Sequence, residues 1–140
     1  MGHTTVYLTA LKVRPERIED LERILDLRAR GFSTLEDFAA ALQEELPHLK
    51  DVFVPEGVGV FLNSVEPYLD EEGHLYLGTV ENGGWREEAL LLSHFVEPGE
   101  VIALADDHES LYGYRVVREG EVEALKGALV NEKGEVVWTE

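Results

Sequence analysis

The stretch TTVYLTALKVRPERIEDLERILDLRARGFSTLEDFAAALQEELP, residues 4–47, decides the fold class. Thr4 to Lys12 alternates, with Val6, Leu8 and Ala10 on one face and Tyr7, Thr9 and Leu11 on the other, and so reads as a strand. Apolar residues on both faces point to a central strand. Arg14-Pro15 then opens a helix, because proline is tolerated in a first turn whose N–H groups have no partner. Glu16, Glu19 and Asp20 lie near the positive end of its dipole, and Ile18, Leu21, Ile24, Leu25 and Arg28 share one side. Gly31 closes this helix as a C-terminal cap. Ser33 begins a second one, with Glu36 in the capping-box relation, and Leu35, Phe38, Ala39, Leu42 and Leu46 make an apolar stripe that stops at Pro47. So short a link predicts a near-antiparallel helix pair or a corner.

Outward from that stretch the texture changes to short apolar runs broken by glycine and proline: Asp51 to Val54, Val58 to Leu62, Val65 to Leu69 and Leu75 to Val80, read as strands. Asp70-Glu71-Glu72-Gly73 reads as a hairpin tip. After Asn82-Gly83-Gly84, residues Trp85 to Phe95 fit a helix with Trp85, Ala89, Leu92 and Phe95 inward, a strand being the alternative. Val101 to Ala105 and Leu111 to Val117 read as strands, and Val122 to Val130, interrupted by Gly127, closes with Val136 to Trp138 in a last hairpin around Asn131-Glu132-Lys133-Gly134, where Trp138 is expected to pack. The order predicts an α+β fold, a mainly antiparallel sheet with an N-terminal helix pair and one further helix, in a single domain over residues 1–140.

Composition bounds the function. At 140 residues and 44% apolar the chain is long enough to bury a core without metal or disulfide support. It has no cysteine, which removes thiolate nucleophiles and cysteine-based zinc sites and fits a cytoplasmic origin. No run reaches the length of a membrane span, and the N-terminus has no signal-peptide pattern, so neither secretion nor a membrane is expected. Three asparagines and one glutamine beside eight arginines and four lysines form a thermophile-like balance.

The net charge of −17 is regional. Residues 36–110 carry eighteen acidic groups against Lys50 and Arg86, a net of −16, while residues 1–35 stand at +1 and residues 111–140 at −2. Such a field repels phosphate, which argues against direct binding of nucleic acid. It also attracts a basic protein and speeds the encounter, although surface acid is as commonly a solvated face that keeps a protein in solution.

Catalytic signals are weak. Asp106-Asp107-His108-Glu109 offers four consecutive oxygen or nitrogen ligands, but neighbours on a strand point to opposite sides, so an exposed acidic turn is favoured over a metal site. Asp70-Glu71-Glu72-Gly73-His74 lacks the alternating ligands of a calcium loop. Pro55-Glu56-Gly57-Val58-Gly59-Val60 has two glycines without the dinucleotide spacing and reads as a strand-entry turn. Ser93-His94 has no nucleophile elbow and no orienting third group. The favoured binding residues are instead the aromatic anchors Trp85, Phe53 and Phe61, with Glu87, Glu88, Glu71 and Glu72 as the acidic surround. No cofactor is expected.

Asp106-Asp107-His108, Tyr112-Gly113-Tyr114-Arg115 and Val136-Val137-Trp138 resemble the C-terminal part of small uncharacterised acidic proteins of actinobacterial and bacteriophage genomes. The likeness covers the last quarter of the chain, with a similar short strand, proline and helix at the start; it implies an α+β fold and brings no catalytic motif. The function expected is a non-enzymatic regulator or inhibitor that binds a basic host protein, such as a phage-encoded factor acting on the transcription machinery, RNA polymerase. The alternatives are a small metal-dependent enzyme or binding protein using Asp106 to Glu109, and an immunity-type protein that neutralises a toxin.

Overall fold

A computed structural model describes residues 4–106 and 110–139. The first strand, β1 (Thr4–Tyr7), is central as expected, pairing antiparallel with β5 (Gly78–Glu81) on one side and β6 (Val101–Asp106) on the other. β7 (Leu111–Arg118) and β8 (Glu121–Lys126) complete a five-stranded antiparallel sheet in the order β5-β1-β6-β7-β8. Together with its helices this is the α+β architecture that the order of elements predicts.

The two strands read as continuous are each broken at the same corner. Residues 4–12 divide into β1 and β2 (Leu11–Lys12), and residues 74–81 into β4 (His74–Tyr76) and β5. β2 and β4, with β3 (Tyr68–Leu69), form a separate three-stranded sheet in the order β2-β4-β3. Between the pairs Tyr7↔Gly78 and Leu11↔Leu75, three residues intervene on one strand and two on the other. That extra residue, with Gly78 at φ 57°, turns the pair out of the large sheet and into the small one. Leu8, at the bend, is 54% exposed. The Asp70-to-Gly73 tip joins β3 to β4 as the sequence predicts, and Asp70 Oδ1 accepts the backbone N–H groups of Glu72 at 2.9 Å and His74 at 2.8 Å. The last of these bonds, with the charge of His74 and the Tyr76 hydroxyl in support, holds the Asp70 carboxyl below its usual range.

The N-terminal helices form where caps and periodicity place them. A 3-10 turn at Pro15–Arg17 leads into α1 (Ile18–Ala29), which buries Leu21, Ile24 and Leu27 and ends at Gly31 with φ 86°. α2 (Leu35–Glu45) is capped one residue later than expected: Thr34, not Ser33, accepts the N–H of Asp37 at 3.1 Å. The two helices touch, and a third, α3 (Pro55–Leu62), packs closely against α2 and α4 (Arg86–Leu92) and lightly against α1.

The third helix corrects the sequence reading, in which Val58 to Leu62 is a strand. Pro55 occupies its first turn, and Gly57 to Phe61 are all buried. With five consecutive residues buried the helix has almost no polar face, so its sequence shows no helical period and looks like a core strand. Asp51 to Val54 is likewise no strand: Pro47–Val52 is a 3-10 segment. The stretch from Trp85 does form a helix, α4.

The core runs between the helices and one face of the large sheet. Phe95 packs at its centre, its ring 6.2 Å from Phe61 edge to face and 6.3 Å from Phe53. Past Gly127 the chain leaves this body. A side chain at Gly127 would collide with the carbonyl of Leu111, which its N–H meets at 2.9 Å. There the strand β8 gives way to a two-stranded ribbon of β9 (Ala128–Val130) and β10 (Val136–Thr139). The expected closing hairpin is present, but Trp138 does not pack: it is 54% exposed, and every residue from 128 to 139 is exposed.

Candidate functional site

A half-open cleft of about 350 Å³ is lined by Leu35, Glu56, Gly59, Asn63, Asn82, Trp85, Glu87 and Glu88. Asn82 and Trp85 reach it from either end of a strained turn. Asn82 has φ 53°, the one left-handed residue other than glycine among the described residues, and Gly84 follows at φ 90°. A side chain at Gly84 would strike the Tyr112 hydroxyl and the Thr5 hydroxyl, so glycine is required by both conformation and space. Thr5 Oγ1 donates to the carbonyl of Gly83 at 3.0 Å and the Tyr112 hydroxyl to that of Gly84 at 2.9 Å. Strands β1 and β7 thereby clamp the entry to α4.

Clamping sets Glu88 inside. As the third residue of α4 it turns back past the helix entrance, where Oε1 accepts the N–H of Gly84, the residue before the N-cap, at 2.8 Å. The same oxygen accepts the Tyr7 hydroxyl at 2.6 Å across 81 residues of sequence. Glu88 is 1% exposed. Burial pushes its carboxyl up to about 7, against the opposing effect of the Tyr7 hydroxyl and the amides of Gly84 and Trp85. Tyr7 is raised well above its ordinary value, first by its own burial and then by the Glu88 carboxylate. Oε2 faces Gly59, where a Cβ would lie 3.5 Å from it. The glycine therefore keeps space open beside a buried, titratable carboxyl.

Of the residues favoured from sequence, three meet here. Trp85 stands 49% exposed at the head of α4, its Nε1 donating to the Asn82 carbonyl at 2.8 Å, and forms a wall of the cleft. It does not point into the core with Ala89, Leu92 and Phe95, because it precedes the helix and falls outside their stripe. Glu87 is exposed at the rim, and Glu88 is not a surface carboxylate but a buried one. Phe53 and Phe61 are fully buried and so are core residues, not partner anchors. Glu71 and Glu72 lie on the β3–β4 turn and take no part in the cleft. Nothing in the sequence marks Tyr7, Thr5, Tyr112 or the Asn63 and Asn82 amides as neighbours of this cleft. The signal present was Gly83-Gly84 before a helix with glutamate at its third position, which marks a cap but not its buried partners.

The other candidate groups that fall among the described residues have structural partners. Asp106 Oδ1 accepts the Ser110 N–H at 3.0 Å, whereas Asp107, His108 and Glu109 lie outside the described residues. Among the described residues no three histidines or carboxylates are grouped to hold a metal ion, and no helix is long and apolar enough to cross a membrane. Ser93 Oγ bonds to the backbone on both sides, donating to Leu90 and accepting from Gly120 at 2.8 Å. Arg14 and Arg17 lie at one edge, facing Glu119 at 3.6 and 3.9 Å beside His94, and Arg28 donates to the carbonyls of Phe61 and Ser64 at the end of α3. Comparison of the chain with family models, with curated proteins and with solved structures gave no match.

Proposed function

We propose that this chain is a protein-docking module: its acidic body steers it to a basic protein, and its C-terminal ribbon supplies the lasting contact. The observation that carries this reading is the exposure of Leu129, Val130, Val136, Val137 and Trp138 together on β9 and β10. A two-stranded hairpin is marginal by itself in water, and a cluster of large apolar side chains there is more than the scattered exposure of ordinary surfaces. Charge selects the occupant. A second copy would bring another −17 against the first, whereas a basic partner gains from the same field. Machines that bind nucleic acid present basic surfaces, and the transcription machinery is the partner class this reading favours, with the chain as a regulator or inhibitor and not an enzyme.

Affinity capture from host lysate over a salt series tests the proposal, using the chain and its Leu129→Ser/Val137→Ser variant. A basic protein retained by the first, released as salt rises and absent from the second is the expected result. Retention by both alike would remove the ribbon from the account. Sedimentation of the free chain should give a monomer; a dimer that the same substitutions dissociate would reassign the ribbon to self-association.

A further inference from the structure

We infer that the cleft between α3 and α4 is a binding site for a small organic cation, a guanidinium or amidinium group carried on a flat or short apolar body. The cleft is distinct from the exposed ribbon, and its argument does not depend on the docking proposal. Its walls divide by chemistry. Trp85 offers an indole face and Leu35 an aliphatic surface, while Glu56, Glu87 and Glu88 set carboxylates around the same space and Asn63 and Asn82 add amides at its rim. An aromatic wall beside carboxylates favours a planar cation, which the ring attracts through its quadrupole and the carboxylates pair with through two parallel hydrogen bonds. An anion would meet three acidic side chains and no lysine or arginine among the lining residues. Arg86, the nearest cation on α4, is directed to the Val122 carbonyl at 3.3 Å. The volume of about 350 Å³ lies within the range of roughly 300–1,000 Å³ usual for small-molecule clefts.

Two features mark the space as kept open. Gly59 of α3 faces Glu88 Oε2, and a methyl group there would come within 3.4 to 3.6 Å of Asn63, Glu88 and Leu35 at once. Trp85, for its part, is held upright by the Asn82 carbonyl, whose residue pays a left-handed backbone conformation.

A bound cation beside Glu88 favours its ionised form, so binding releases a proton and strengthens with pH. The groups facing Glu88 are Tyr7 from β1, Tyr112 and Tyr114 from β7, Glu56 from α3 and Glu87 from α4, and all three tyrosines are pushed upward, chiefly by burial. With the Glu88 carboxyl at about 7 in the free protein, a cation that binds only the ionised form gains up to about tenfold in affinity between pH 6 and pH 8.

The probes are benzamidinium and its neutral isostere benzamide, followed by the fluorescence of Trp85 and by calorimetry. Because Trp138 also fluoresces, the titration is run in a Trp138→Phe background. Saturable binding of benzamidinium, at least about tenfold tighter than benzamide and tightening from pH 6 to pH 8, is expected. Glu88→Gln should abolish the pH dependence. Should that variant not fold, Glu56→Gln at an exposed position and Gly59→Ala, which puts a methyl group into the cleft wall, should each weaken binding several-fold without lowering the melting temperature. N-acetylarginine amide, tested beside benzamidinium, separates the sources of the cation: binding of the arginine derivative points to a peptide side chain, and binding of benzamidinium alone to a free ligand. Equal affinity for benzamidinium and benzamide, or binding of no cation, would overturn the inference.

Discussion

The protein carries two tryptophans of nearly equal exposure, Trp85 at 49% and Trp138 at 54%, in opposite structural settings. Trp85 rises from a clamped turn where Thr5, Tyr7, Tyr112 and Glu88 converge through hydrogen bonds, so its position is fixed by strands far away in sequence. Trp138 sits on a ribbon joined to the body through Gly127, with exposed residues on both sides of it. Exposure alone therefore does not separate the wall of a small cleft from the anchor of a docking surface. The supporting contacts do: a fixed ring suits a small ligand, and a ribbon with little of its own to pack against suits a partner that covers it.

If that contrast is right, substitutions should sort by region. The largest loss is expected beneath the cleft, where Phe61→Ala removes a fully buried ring from the Phe53–Phe95 cluster and should cost about 3–5 kcal/mol in denaturant unfolding. Glu88→Ala comes next. It leaves the Tyr7 hydroxyl and Gly84 N–H buried without their shared acceptor and should cost roughly 2–4 kcal/mol, a value near zero showing that the clamp is ornamental.

Acidity sharpens the same point. The Glu88 carboxyl is raised from 4.5 to about 7 on folding, so the folded state holds its proton more tightly than the unfolded chain. Its contribution to stability is complete below the ordinary carboxylate range and is lost as pH rises through about 7, a change of roughly 3 kcal/mol. Glu88→Gln lacks this titration and should gain on the parent between pH 4.5 and pH 7; a constant difference in melting temperature across that window would contradict the shift. Repulsion among the surface carboxylates also grows with pH, but it is common to both proteins and cancels in the comparison. The smallest effect is expected in the ribbon, where Val137→Ser should change global stability by no more than about 0.5 kcal/mol because the side chain is 63% exposed.

What the sequence discloses about these regions follows from the range of the forces that shape them. α1 and α2 are legible because a cap, a proline and an apolar stripe all lie within one helix. α3 is not, since Val58, Val60 and Phe61 are buried all round and leave no period to read. The breaks at Leu8 and Gly78 depend on how two distant strands register against each other. For the cleft, Trp85, Glu87 and Glu88 are adjacent in sequence and could be picked out together, but Tyr7 and Thr5 reach them from the far end of the chain. Burial of Phe53, Phe61 and Glu88 is decided by that packing, which is why two aromatic anchors proved to be core and one surface acid proved to be internal. The ribbon was legible as a hairpin, while its separation from the core was not, because nothing local distinguishes Val136-Val137-Trp138 from a strand that packs.

The contrast between the tryptophans meets its most direct test in dissociation rates. With a basic partner isolated by capture, Trp138→Ser and Trp85→Ala are compared with the parent at one salt concentration. The account predicts that Trp138→Ser speeds dissociation at least about tenfold with association little changed, whereas Trp85→Ala leaves both rates near those of the parent. Faster dissociation of Trp85→Ala with Trp138→Ser unaffected would contradict it and place the docking surface at the cleft.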